Sequence, residues 1–121
     1  MPKPVIPHAQ WQEFLESFSR RHAGWLVSVE THDLQTAERV QYPFVRLESI
    51  ELDLEDRKNP RINVVVRDKQ KQIKHILFRP SEVQQLLQDT NDTALRITSL
   101  NTVTTVRFRV PAAPEVVDGV A

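Results

Sequence analysis

The hydrophobic positions of this chain change their period after residue 24. In "AQWQEFLESFSRRH" (residues 9–22), Trp11, Phe14, Leu15 and Phe18 recur at i, i+3, i+4 and i+7, the spacing of one helical face. Glu13 and Glu16 come early and Arg20, Arg21 and His22 late, as the helix dipole prefers. Gly24 follows, where a left-handed cap costs least. The pattern predicts one amphipathic helix near the N-terminus.

Beyond Gly24 the period falls to two. "WLVSVETHD" (25–33) alternates Trp25, Val27 and Val29 against Leu26, Ser28 and Glu30. "FVRLESIELDLE" (44–55) breaks its own alternation, because Val45 and Leu47 share one parity and Ile50, Leu52 and Leu54 the other. A regular strand cannot bury both sets on one face. An extra residue near Glu48 and Ser49 repairs the pattern, so a β-bulge or sharp bend is expected there. "DRKNP" (56–60) is a turn with Asn-Pro as its breaker. "RINVVVRD" (61–68) turns Ile62, Val64 and Val66 inward, and Val65 implies partial cover on the second face. "IKHILFRP" (73–80) reads as the next strand, with Ile76 and Phe78 inward and His75, Leu77 and Arg79 opposite. "SEVQQLL" (81–87) reads as a short helix, with Ser81 and Gln84 at capping-box spacing. "ALRITSL" (94–100) and "TTVRFRV" (104–110) form a closing hairpin about Asn101 and Thr102.

This order reads as an α+β fold: a curved antiparallel sheet or small partly open barrel of about six strands. It carries an N-terminal amphipathic helix and a short helix between strands four and five. A flat sheet with both helices on one face is the alternative. The expected core joins Trp11, Phe14, Leu15 and Phe18 to Trp25, Val27, Val29, Leu47, Ile50, Leu52, Ile62, Val64, Ile76, Phe78, Leu86, Leu95, Ile97, Val106 and Phe108. Three prolines in "MPKPVIP" make residues 1–8 an extended arm. Residues 9–110 form one globular domain, and "PAAPEVVDGVA" (111–121) is expected to be a disordered tail.

Composition narrows the chemistry. The 121 residues fit one domain. There is no cysteine, so disulfides and thiolate metal sites are excluded. The N-terminus lacks the apolar run of a signal peptide, and no stretch approaches the roughly 18 apolar residues of a membrane span. A cytoplasmic protein without a membrane segment is therefore expected. With only two glycines, Gly24 and Gly119, a phosphate-cradling loop is not available. The four histidines show no H-x-H or H-E-x-x-H spacing. Glu30, His32 and Asp33 offer two metal ligands on one strand face, short of the three a site needs. No nucleophile elbow is present. No catalytic residue, metal ligand or cofactor is assigned.

Net charge is zero, so the whole chain carries no basic footprint for nucleic acid. The charges are nevertheless segregated. Residues 48–56 hold five acids and no base, while residues 61–79 hold six bases and one acid, Asp68. On two arms of a hairpin, Glu51, Asp53 and Glu55 face Arg61, Asn63 and Arg67, and such cross-strand pairs are worth roughly 0.2–1 kcal/mol each. Read as a surface instead, Arg67, Lys69, Lys71, Lys74, His75 and Arg79 are the candidate binding residues.

The order of features resembles a family of small bacterial proteins known as domain of unknown function 5335. The resemblance rests on "WQEFLESFSRRHAGW", "FVRLESIELD", "INVVVRD", "HILFRPSEV" and "LRITSLNTVTTVRF", and it runs from about Trp11 to Val110. It places Trp11 at the helix start and His75 and Pro80 after the third strand. Ser49 stands where many relatives have glycine. The resemblance implies a fold but no activity, substrate or cofactor.

These readings favour a non-catalytic binding or assembly module that uses an edge strand, 104–110, for self-association or partner capture. The alternative is weak binding of single-stranded nucleic acid through Arg67, Lys69, Lys71, Lys74 and Arg79. A small enzyme is a distant third.

Overall fold

The computed structural model describes residues 5–88 and 91–110. A 3-10 turn, His8–Gln10, leads into the helix α1, Trp11–His22. Trp11, Leu15, Phe18 and His22 are its buried positions, so the apolar face read from the sequence is the face that packs. Gly24 adopts φ 87°, and its N–H donates to Leu47 O at 2.7 Å. The left-handed glycine thereby turns the chain from the helix into the sheet.

Seven strands follow: β1 Leu26–Asp33, β2 Arg39–Asp53, β3 Arg61–Asp68, β4 Lys71–Phe78, β5 Glu82–Gln88, β6 Asn91–Thr98 and β7 Thr102–Val110. They form one antiparallel sheet in the order β4-β3-β2-β1-β7-β6-β5. The two end strands, β4 and β5, are consecutive in the chain and joined by residues 79–81 alone. Four Cα steps of about 3.8 Å bridge at most roughly 15 Å. Opposite ends of a seven-stranded sheet come that close only if the sheet curls strongly. It does not close, because no ladder joins β4 to β5.

The curl originates in β2, which is 15 residues long and shared between neighbours. Its first half pairs with β1 and its second half with β3, and the register shifts in each ladder: between Val27 and Val29 of β1, and between Leu47 and Ser49 of β2. The second shift is the extra residue that the broken parity of 44–55 demanded, and it leaves Glu48 as the bulge. The first places Pro43 at an irregularity, where a residue without an N–H is tolerated. Beyond the end of β1, α1 takes over the exposed edge of β2. Ser19 Oγ accepts from Ile50 N at 2.8 Å and donates to Ile50 O at 3.0 Å. On the opposite rim, Val5 bridges Gln84 and Ile6 N donates to Val83 O, so the start of the chain lies against the edge of β5.

The core lies inside the curl, where Leu15 and Phe18 meet Val27, Leu47, Ile50, Val64, Leu95 and Ile97. Phe18 sits 5.4 Å from the Phe108 ring, and His22, 4% exposed, packs 4.6 Å from the same ring.

Several expectations require correction. The sheet has seven strands, not about six, and residues 81–87 form no helix. The apolar spacing of Val83, Leu86 and Leu87 suits a helix, but pairing with β6 satisfies the backbone there and turns Val83 into the core. Ser81 caps nothing; its N–H and hydroxyl donate to Thr98 O. The strand at 104–110 is not an edge, because β7 is inserted between β1 and β6. In β4 the parity is reversed. Leu77 is 3% exposed, whereas Ile76 and Phe78 are 38% and 56% exposed. Pairing of Ile62 with Leu77 and of Val64 with His75 fixes this register. Phe14, Trp25, Leu52, Leu86 and Phe108 are half-buried rather than enclosed. Residues 1–4 and 111–121 lie outside the described residues.

Candidate functional site: the β4 edge and the His75 cleft

Reversal of the β4 parity turns His75 inward, with Ile73 and Leu77. Its imidazole Nε2 lies 2.9 Å from Thr31 Oγ1 on β1, which in turn lies 2.9 Å from Thr104 Oγ1 on β7. Strands β4 and β1 are separated in the sheet by β3 and β2, so this chain of polar atoms spans the interior of the curl. It closes the inner wall of a cleft of about 250 Å³ lined by Thr31, His75, Ile76, Leu77, Phe78, Ser99, Leu100, Asn101 and Thr102. The outer wall is the turn between β6 and β7. Leu100 N donates to Phe78 O at 3.1 Å, and Ser99 Oγ lies 2.7 Å from Thr102 Oγ1.

No carboxylate or cation lines this cleft. Burial holds the His75 pKa below the usual 6.5, so the ring is neutral at pH 7. Proton transfer through His75 needs a group to orient the imidazole and a reacting partner at hydrogen-bond distance. The hydroxyl of Thr31 is shared with Thr104, and among the described residues no acidic group is hydrogen-bonded to the ring. The arrangement supports hydrogen bonding and packing. It does not assemble a nucleophile and base.

The rim of the cleft is apolar. Ile76, Phe78 and Leu100 are all exposed, Leu100 by 59%. Leu34, also exposed, lies beside them, its N–H donating to Asn101 O. Among the described residues no strand lies beyond β4. Apart from Phe78 O, that edge makes no backbone hydrogen bond among the described residues.

The basic residues read from the sequence are spread along this strand. Arg67, Lys69 and Lys71 stand at the hairpin joining β3 to β4, and Arg79 at the far end of β4. Eight strand residues at about 3.4 Å each separate the two groups by roughly 25 Å. Arg67 Nε donates to Glu48 Oε2 at 2.6 Å, and Gln72 Nε2 to Glu48 Oε1 at 2.7 Å. The hydrogen bond from Gln72, and then that from Arg67, hold the Glu48 carboxyl below its ordinary pKa. Lys69 occupies a turn position with φ 62°. Arg79, at φ 51°, donates to Asn59 Oδ1. Lys71 and Lys74 are exposed on β4, and Lys74 points to the face opposite His75.

Of the expected charge pairs, Asp53 faces Arg61 with Arg61 Nη2 donating at 2.8 Å, and Glu51 faces Asn63. Arg67 turns to the bulge residue Glu48 rather than to Glu55. Glu30 and His32 share a face at 3.5 Å, but Glu30 pairs with Arg39 at 3.2 Å and Asp33 caps a turn through Gln35 N and Thr36 N.

Thr31, Thr104 and Leu100 were not singled out by the sequence. Thr31 shares the parity of Val27 and Val29, and Thr104 that of Val106 and Phe108, so both were legible as inward. That they meet His75 was not. Among the described residues, no helix is long and apolar enough to cross a membrane. No curated protein and no solved structure matches the chain. The sequence model of the family of unknown function DUF5335 matches residues 3–117, and the chain belongs to that family.

Proposed function

We propose that this protein is a non-catalytic binding module that captures an extended, acidic and apolar peptide segment of a partner protein along β4. The observation that carries this is the unpaired edge of β4 flanked by three exposed apolar side chains, Ile76, Phe78 and Leu100. Soluble proteins blunt such edges or use them. A strand added to β4 gains main-chain hydrogen bonds, and pockets for alternate side chains give it specificity.

The charge on β4 selects the occupant. Lys71 and Lys74 are its only ionised side chains, and Lys69 precedes them. A second copy of β4 brings like charges together, which is unfavourable. A strand with acidic residues opposite Lys71 and Lys74, and apolar residues opposite Ile76 and Phe78, complements both halves. Single-stranded nucleic acid is less well matched, because Arg67 is already engaged by Glu48 and the cations do not converge.

The test uses an octapeptide with leucine at the positions opposite Phe78 and Ile76 and glutamate at those opposite Lys74 and Lys71 in antiparallel pairing, with a control carrying proline at alternate positions. Addition to β4 slows hydrogen exchange at outward-pointing amides of residues 71–77, and the proline peptide does not. Lys74→Glu and Phe78→Ser each weaken binding. Unchanged β4 exchange overturns the proposal, as does protection that appears on concentrating the protein alone or on adding only oligonucleotide.

A further inference from the structure

A second concavity lies on the other side of the molecule, between the polar face of α1 and the outer face of β2 and β3. It encloses about 650 Å³, and its lining includes Glu16 and Arg20 from the helix, Glu51 and Asp53 from β2, Asn63 from β3 and Lys74 from β4. Asn63 is 6% exposed although its side chain is turned away from the core. Its amide N–H donates to the Asp53 carboxylate, which fixes the orientation of the amide. The other end of the group, Oδ1, is buried and accepts no hydrogen bond among the described residues. Buried carbonyls are rarely left so, since nine in ten or more find a donor.

We propose that this groove binds a small ligand carrying a primary ammonium group, which donates to Asn63 Oδ1 and is flanked by the carboxylates of Glu16 and Glu51. Asp53 is occupied by Arg61, but neither Glu16 nor Glu51 has a cation partner among the described residues. Among the described residues, Glu51 accepts only the Ser49 hydroxyl, at 3.1 Å. The groove therefore brings together two carboxylates without an ion-pair partner among the described residues and the unsatisfied acceptor of Asn63, with Arg20 and Lys74 also on its lining; a –NH3+ group with its three N–H donors completes that arrangement. A water molecule occupies about 30 Å³, so the space accommodates a ligand of several heavy atoms. Lys74 borders both this groove and the β4 edge, but the groups proposed to hold the ligand lie on α1, β2 and β3.

The test is an NMR titration of the intact protein with butylamine as the probe and tetramethylammonium as the control. Both are cations, but only butylamine has N–H groups to give to Asn63. Butylamine is expected to shift the Asn63 side-chain amide and the backbone of residues 49–53, and tetramethylammonium to leave the Asn63 amide unmoved. Glu51→Gln, at an exposed position, is expected to weaken butylamine binding about tenfold, the usual effect of losing one charged hydrogen-bond partner. Asn63→Leu is expected to abolish it. Equal responses to both cations, or no response to butylamine, overturn the proposal and assign Oδ1 to water. Unaltered binding in Glu51→Gln overturns it even if Asn63→Leu fails to fold.

Discussion

Leu77 and Phe78 are neighbours in β4, and their relative contributions decide whether the architecture is correct. Leu77→Ala removes three carbons from a side chain that is 3% exposed. At about 0.8 kcal/mol per buried methylene-sized group, the lost transfer energy is roughly 2.4 kcal/mol. The cavity left behind adds to this, so the cost is about 3 kcal/mol, inside the range of roughly 2–5 found for buried leucines. Phe78 is larger but 56% exposed. Less than half of it leaves water, so Phe78→Ala forfeits about 1 kcal/mol of the roughly 1.5–3 that full burial is worth. With an unfolding entropy of about 2.1 cal/mol/K per residue, 1 kcal/mol shifts the Tm of this 121-residue chain by about 4 °C. The expected losses are therefore about 12 °C for Leu77→Ala and about 4 °C for Phe78→Ala. Thermal melts followed by circular dichroism, with urea midpoints at constant m-value, measure both. Alternation read from the sequence alone predicts the reverse order. If Phe78→Ala proves the more costly, β4 is one residue out of register, His75 faces outward and the cleft does not exist.

Other consequences follow from the same contacts. Because burial lowers the His75 pKa, the unfolded chain binds the proton more readily. The neutral ring's contribution is fully present above about pH 6.5, is lost as pH falls toward the folded-state pKa, and is flat below it. The stability difference between the parent and His75→Gln is thus expected to change between pH 7.5 and 5.5 against the parent, and an unchanged difference in urea midpoint refutes the burial argument. Ser19→Ala leaves Ile50 N and O without their shared partner and is expected to cost about 1–3 kcal/mol. A midpoint shift below about 0.5 kcal/mol would show that Ser19 does not secure the helix to β2.

The amphipathic helix and the bulge were legible in the sequence because both are local. Trp11, Leu15 and Phe18 define a helical face by spacing alone, and only an added residue reconciles Leu47 with Ile50. Residues 81–87 were illegible for the opposite reason. Val83, Leu86 and Leu87 satisfy a helical period and a strand equally poorly, and the free β6 edge, about ten residues further on, decides between them. The parity of β4 has a similar cause. Both of its faces carry apolar residues, Ile73 and Leu77 on one and Ile76 and Phe78 on the other, so alternation leaves two registers open. The ladder with β3 selects one.

The candidate site depends on tertiary structure more than any element does. The sequence places His75 on a strand and segregates bases from acids, but Thr31, His75 and Thr104 are 44 and 73 residues apart in their hydrogen-bonded pairs. They meet only because a sheet whose first and last strands are joined by three residues must curl until those strands approach. Chain order determined which segments bury apolar surface. Strand pairing determined which edge was left open: β7 is enclosed between β1 and β6, the start of the chain lies against β5, and β4 has no neighbour on its outer side among the described residues.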